Sequence, residues 1–300
     1  MVKLKLGAPG ANNSNDQAVE SATSLSPNLR RSLPYIAMLL AMLERGEPLI
    51  EATFGRHIHW GYWPEPERAT GDAADFAAAA ERLTREVCDA AEITDDMSLI
   101  DVGCGFGGTL ASLNERFQRM QLTGLNIDLQ QIARARLSVT NRDDNRIAFV
   151  AGDASYLPCA NESLDRVLAI EAISHFSDRV RFFNEAHRVL KPGGRLALSD
   201  FLPVGWMQPA LWFNVTAEYY GKCDMRYSLH RYRRLAHDTG FRSVVERNVN
   251  ANTLPTFAFL KSLRPLIDAH NKQPVRETNL LHAMCRLGLL RYSILSFEKK

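Results

Sequence analysis

Long apolar runs, paired cysteines and an excess of charge of either sign are all missing from this sequence. The strongest apolar run, Tyr35 to Leu43, is too short to span a bilayer, so no membrane partner is expected. The five cysteines (88, 104, 159, 223 and 285) show no CxxC pairing, which speaks against a zinc site or a disulfide framework. Reduced thiols are the plain expectation. A formal net charge of +2 gives no electrostatic case for nucleic acid as a partner. The tight basic cluster Arg231, Arg233 and Arg234 reads as the wet face of a helix. No secretory signal is visible, so a soluble, cytoplasmic protein is expected. What is present is 300 residues at 46% hydrophobic content, enough for one sizeable core with a cap.

The chain is organised around Ser98 to Gly108, where an apolar run (Leu99, Ile100, Val102) ends in clustered glycines. This is the pattern of a buried parallel strand turning through a backbone-only loop into a helix. Glycines at 103, 105 and 107 let the main chain take positive φ and approach a ligand closely. The helix that follows aims its free N–H groups at the same place. The spacing also satisfies G-x-G-x-x-G, so a dinucleotide oxidoreductase is one reading. Asp101 argues otherwise, because a carboxylate two residues before the first glycine would repel a pyrophosphate. A ligand carrying an ammonium and a sulfonium would suit it.

On these residues the chain resembles the class I S-adenosylmethionine-dependent methyltransferases of the small-molecule type, which include enzymes acting on sterols, tocopherols, sugars and peptides. The resemblance is firm over residues 57–202 and looser beyond. It implies a Rossmann-like, doubly wound, seven-stranded α/β sheet whose last strand is antiparallel. It implies S-adenosyl-L-methionine as cofactor, with Asp101, Gly103, Cys104, Gly105 and Gly107 around its methionine moiety. The family usually ends its second strand with an acid for the ribose. Here Asn126 holds that place with Ile127 beside it, and an amide cannot make the charge-assisted pair. Asp153 and Ala154 match the third cofactor motif and would meet the adenine. Asp153 reads equally as a loop Asx turn. His-Trp-Gly-Tyr-Trp at 59–63 resembles the segment that folds over the cofactor, so Tyr62 would face the methionine carboxylate with Trp60 and Trp63 as walls. An aromatic plug closing the cap is the alternative for either tryptophan.

In chain order, residues 1–28 read as a disordered tail and 29–72 as a helical cap, with one helical segment over Asn28 to Glu51. Residues 73–300 form the methyltransferase domain, with 201–242 and 251–288 as lid insertions. His57 and His59 lack the spacing of a metal site and read as structural, and no metal is expected. Glu171 and His175 follow strand four, where ligands bind in open α/β sheets. Asp178 reads as a helix N-cap, and Asp200 ends strand five. The aromatics Trp206, Trp212, Tyr219 and Tyr220 read as walls for a bulky, largely apolar acceptor. A homo-oligomer interface is the other reading of the same residues.

Methyl transfer to a hydroxyl needs a base near neutrality, and His175 is the natural candidate. Asp200 would orient its ring or hold the same hydroxyl, and Glu171 would share the work or contact the cofactor. A histidine bonded to a main-chain carbonyl is the structural alternative for His175. The expected function is O-methylation of a bulky secondary metabolite. C-methylation of a prenyl or sterol-like alkene, with Glu171 stabilising a cation or taking its proton, is the near rival. A nicotinamide oxidoreductase is the distant one.

Overall fold

The computed structural model describes residues 33–142, 144–207, 220–221, 223–266 and 273–300. Strands β1 (Ser98–Val102), β2 (Gln121–Asn126), β3 (Arg146–Ala151), β4 (Leu164–Ile170), β5 (Leu190–Pro203), β6 (Phe241–Asn248) and β7 (Leu290–Lys299) form one sheet. Its order is β3-β2-β1-β4-β5-β7-β6. Every pair from β3 to β5 is parallel, while β7 runs antiparallel between β5 and β6. Four of the five β1 residues are buried, because helices cover both faces of a parallel strand. That is why β1 and β4 read as apolar runs rather than alternations.

The helices start where the sequence supplies caps. Asp72 accepts from the Asp75 N–H at the head of α3 (Ala73–Ala90), whose Phe76, Leu83 and Val87 enter the core. Helix α4 (Gly108–Arg116) follows the glycine loop directly. Asp128 caps α5 (Leu129–Ser138), and Asp178 caps α6 (Arg179–Val189) by accepting from the Arg181 N–H, as expected. Over 28–51 the described part forms two helices, α1 (Pro34–Glu44) and α2 (Pro48–Phe54), rather than one. Gly46 at φ 71° and Pro48 break it.

In the stretch read as a lid over 201–242, strand β5 continues to Pro203 and α7 (Leu229–Asp238) belongs to the sheet's own layers. Ser228 caps α7, and Tyr232, Leu235 and Ala236 make its buried stripe. In 251–288, α8 (Asn250–Thr253) leads into α9 (Pro255–Ser262), and α10 (Gln273–Arg286) precedes β7. Phe257 packs on Trp60 at 4.4 Å and Phe259 stacks on Phe76 at 4.4 Å. So α9 joins α1, α2 and α3 in one apolar cluster. Among the described residues no helix is long and apolar enough to cross a membrane.

Candidate active site

The strand order reverses between β1 and β4, and the chain leaves a crevice beyond their carboxyl ends. A cavity of about 270 Å³ lies there. Asp101, Gly103, Cys104, Gly105, Asn126, Ile127, Asp153, Ala154, Glu171 and His175 all line it. Residues predicted from four separate strand ends are thus brought together.

Asp101 is buried at 2% exposure, and its Oδ1 has no hydrogen-bond partner. Burial raises its carboxyl to about 7, against a smaller downward pull from the Thr109 hydroxyl. An orphaned buried carboxylate oxygen in a cavity is costly unless a cationic ligand meets it. The loop beside it carries Gly103, Gly105 and Gly107 at φ 83°, 55° and 84°. Gly107 does not itself line the cavity. It is the left-handed N-cap of α4, and a Cβ there would stand 2.9 Å from the Phe149 ring. Its task is to seat the helix, whose first residues Gly108 and Thr109 do line the space.

At the end of β2 the Asn126 amide is committed to its own loop. Its Nδ2 donates to Gln131 Oε1 at 3.2 Å and its Oδ1 accepts from the Asp128 N–H at 3.0 Å. Asp128 and Gln131 line the cavity as well. Gln131 was not anticipated, although Asp-x-x-Gln at a helix start is a capping-box signal. Asp153 Oδ1 accepts from the Ser155 N–H at 2.7 Å, so the Asx turn is present, and the residue still lines the cavity.

Glu171 sits just past β4 at φ 50°, a left-handed backbone that costs a non-glycine residue about 1–2 kcal/mol. Its Oε1 accepts from the Trp60 N–H at 2.9 Å and from Tyr292 Oη at 2.5 Å. Burial raises this carboxyl to about 8, partly opposed by those two donors. His175 ends a short 3-10 turn (Ile173–His175), and its ring lies 3.8 Å from the Cys223 sulfur.

The structure corrects several placements. Asp200 is not among the residues that line the cavity. It is paired with the buried Arg179 at 2.9 Å, accepts from Tyr232 Oη at 2.6 Å, and takes the Phe201 N–H on its other oxygen. Tyr62 faces away from the crevice. Its N–H donates to Ala79 O, and its phenol lies under the charges of Glu86 and Arg247. Trp60 and Trp63 are core residues, not walls. The Trp60 ring packs on Phe201 at 5.0 Å and on Phe257, while Trp63 Nε1 donates to Asp75 at 2.8 Å. Trp206 is 72% exposed. Tyr220 approaches the mouth by ring contact with cavity-lining Tyr35 at 5.9 Å. Trp212 and Tyr219 lie outside the described residues, as do residues 1–28.

The N-terminal segment contributes Tyr35, Arg56, His57, Ile58 and His59 to the lining, so it covers the crevice with other side chains than Tyr62 and the tryptophans. His57 bonds Glu81 at 2.9 Å, and His59 bonds Thr84 at 3.0 Å and the Trp60 carbonyl at 2.9 Å. Burial keeps His59 neutral, with its value lowered to about 3. Burial works to raise Glu81, but hydrogen bonds from His57 and Ser112 outweigh it and hold the carboxyl at about 2. Among the described residues no group of three His, Cys, Asp or Glu is placed to hold a metal ion.

Comparison with known proteins matches a family described as a methyltransferase domain over residues 100–198. "Methyltransferase GfsG" of Streptomyces halstedii is 33% identical over 205 residues, 68% of this chain and 69% of that one. "27-O-demethylrifamycin SV methyltransferase" of Amycolatopsis mediterranei is 35% identical over 160 residues, 52% of this chain. The chain spans only 55% of that relative's length. Among solved structures, geranyl diphosphate C-methyltransferase of Streptomyces coelicolor A3(2), in complex with Mg2+, geranyl diphosphate and S-adenosyl-L-homocysteine, superposes with a TM-score of 0.67. It is 17% identical, and the match covers 90% of this chain and 99% of that one. At that identity the likeness is one of fold.

Proposed function

The chain belongs to the class I S-adenosylmethionine-dependent methyltransferases of the natural-product type, and from that premise we propose that it methylates a hydroxyl oxygen of a bulky, largely apolar small molecule. The observation that carries this reading is the shared cavity: Asp101 offers a buried, unpartnered carboxylate oxygen, and Glu171 and His175 line the same space. A relative named for action on 27-O-demethylrifamycin SV supports oxygen as the target atom.

The residues present fit the cofactor. Asp101 Oδ1 suits the ammonium of its methionine moiety, and the glycine loop allows close backbone approach. We assign Asn126, Asp128 and Gln131 to the ribose hydroxyls and Asp153 with Ala154 to the adenine, a reading supported by their lining the same cavity. When bound, the cofactor supplies a methyl group on a positively charged sulfur, an electrophile that needs no further activation. The chain's own work is to align the acceptor oxygen, exclude water and take up its proton. His175 is the group we assign to receive that proton on a ring nitrogen. Glu171 orients the hydroxyl or shares the proton, and its high proton affinity suits either role.

Calorimetry with S-adenosylhomocysteine and with NADP tests the premise. The first binds and the second does not. A panel of hydroxylated, apolar natural products is then incubated with the methyl donor, and the product is located by mass and NMR. A methyl on oxygen supports the proposal. A methyl on carbon supports the second reading, alkene methylation, in which Glu171 in its ionised form, a cavity-lining carboxyl of high proton affinity, takes the proton that the methylated cation loses. An enzyme that binds NADP and ignores S-adenosylhomocysteine overturns both.

A further inference from the structure

Glu171 is held by a closed ring of hydrogen bonds. Its own backbone N–H donates to Ser199 Oγ at 3.1 Å. The Ser199 and Tyr292 hydroxyls stand 2.9 Å apart. Tyr292 Oη then meets Glu171 Oε1 at 2.5 Å, closing on the residue where the ring began. A phenol has one proton, so if it goes to the carboxyl group, the Ser199 hydroxyl must donate to the phenol oxygen. One direction of donation thus satisfies every contact. The sheet places both partners, since Ser199 pairs with Ile294 in the antiparallel register of β5 and β7, two residues from Tyr292.

The Trp60 N–H is a further donor, and it too goes to Oε1. Both side-chain bonds therefore fall on one carboxyl oxygen. Among the described residues Oε2 has no hydrogen-bond partner, and Glu171 lines the cavity. Tyr292 itself is fully buried and does not line it. A structural tyrosine needs one partner for its hydroxyl. This one has two, the Glu171 carboxyl and the Ser199 hydroxyl that holds the Glu171 main chain.

We propose that Tyr292, backed by Ser199, is a positioning residue for the methyl transfer: it locks the Glu171 carboxyl in one orientation, leaves Oε2 to the acceptor, and sets how readily that carboxyl exchanges a proton. The inference rests on the methyltransferase reading only for the identity of the molecule that meets Oε2. Other groups bearing on Glu171 are few. Asp200 on β5 raises its proton affinity through its charge, and Asp200 is itself paired with Arg179. Asp101 and His175 share its cavity. Of the opposing influences, the bond from Tyr292 is the largest. Removing it withdraws stabilisation from the carboxylate and moves the titration upward.

Isotope-edited infrared spectroscopy of the full chain, with labelled glutamate and the Glu171 band assigned by subtraction of Glu171→Gln, reads that titration without an acceptor. The wild-type midpoint is expected near 8. Tyr292→Phe shifts it upward by about one to two pH units, the loss of one hydrogen bond to a charged acceptor. Ser199→Ala shifts it upward by less, because it only weakens the phenol as a donor. Circular dichroism and S-adenosylhomocysteine affinity close to wild type in both variants show that the fold and the cofactor crevice are intact. Should Tyr292→Phe fail to fold, the Ser199→Ala shift decides. A midpoint unmoved in every folded variant overturns the proposal. Failure of the wild type to bind S-adenosylhomocysteine instead sinks the methyltransferase reading and leaves the titration result standing.

Discussion

Asp101 on β1 pairs with Leu168 on β4, three residues before Glu171, so two carboxyl groups enter one cavity from adjacent parallel strands. Burial lifts the first to about 7 and the second to about 8. Among the described residues neither has a cation acting on it, so both titrate near neutrality. The crevice is thereby set to gain from a cationic ligand.

Binding of S-adenosylhomocysteine should therefore weaken as the pH falls below 7. On the proposed placement the ligand's ammonium pairs with the Asp101 carboxylate, and below about 7 that carboxylate must first lose a proton. Affinity falls at most about tenfold per pH unit under the midpoint and levels off above it. Calorimetry across pH 5–7.5, in buffers of differing ionisation enthalpy, measures both the slope and the proton released. A flat profile would place the ammonium elsewhere.

The same residue costs the empty protein stability. A carboxyl whose folded value lies above its unfolded value of about 4 resists ionisation, so the cost starts near pH 4 and grows until about pH 7. Asp101→Asn should raise the stability of the ligand-free protein by something on the order of 3 kcal/mol at pH 8 and hardly at all at pH 4. It should also lose S-adenosylhomocysteine binding. Denaturant titrations at the two pH values, with and without ligand, give the answer.

Gly107→Ala tests the loop. The position is left-handed at φ 84°, and the new Cβ would meet Phe149 Cζ at 2.9 Å and Val139 Cγ2 at 3.0 Å. Backbone strain and overpacking together should cost about 2–4 kcal/mol. Because Gly107 is the N-cap of α4, the helix end moves and cofactor affinity falls with it. Thermal melts and ligand titration should show both losses. A variant as stable as wild type would mean the loop is not under this constraint.

What the sequence made legible was local. Leu99, Ile100 and Val102 before three spaced glycines announce a strand, a turn and a helix within a dozen residues, and the structure has them. Glu171 and His175 were placed because a strand end fixes where the next residues go. What was not legible depends on contacts distant in sequence. Trp60 lies in the core because Phe201, Phe257 and Tyr292 converge on it, and no periodicity near residue 60 announces them. The Tyr62 phenol lies by Glu86 and Arg247 instead, and Tyr35 lines the crevice. Asp200 looked catalytic at a strand end, but its partners Arg179 and Tyr232 sit 21 and 32 residues away.

Asp200→Ala separates a structural role from a catalytic one. It leaves the buried Arg179 guanidinium uncompensated, and breaking such a pair typically costs about 3–5 kcal/mol. The expected variant is far less stable, yet its folded fraction binds S-adenosylhomocysteine as the wild type does. Stability from chemical denaturation and affinity at low temperature settle it. Unchanged stability with abolished turnover would return Asp200 to the chemistry.

His175 is the residue on which the proton account turns. Its ring lines the cavity and stands 3.8 Å from the Cys223 sulfur, so it has both a route to an acceptor hydroxyl and a neighbour that could merely hold it in place. Binding and turnover distinguish these roles. If the ring takes the acceptor's proton, His175→Ala removes a general base worth about 10²–10⁴-fold in rate while S-adenosylhomocysteine affinity changes little. If the ring only braces the turn Ile173–His175, cofactor affinity and rate fall together, because Ala172 and Glu171 in the same loop line the cavity. Cys223→Ala completes the test. It removes the sulfur beside the ring and leaves the ring itself, so a base needs it little and a brace needs it much. Near-wild-type turnover in Cys223→Ala, with loss of turnover in His175→Ala, identifies the proton acceptor.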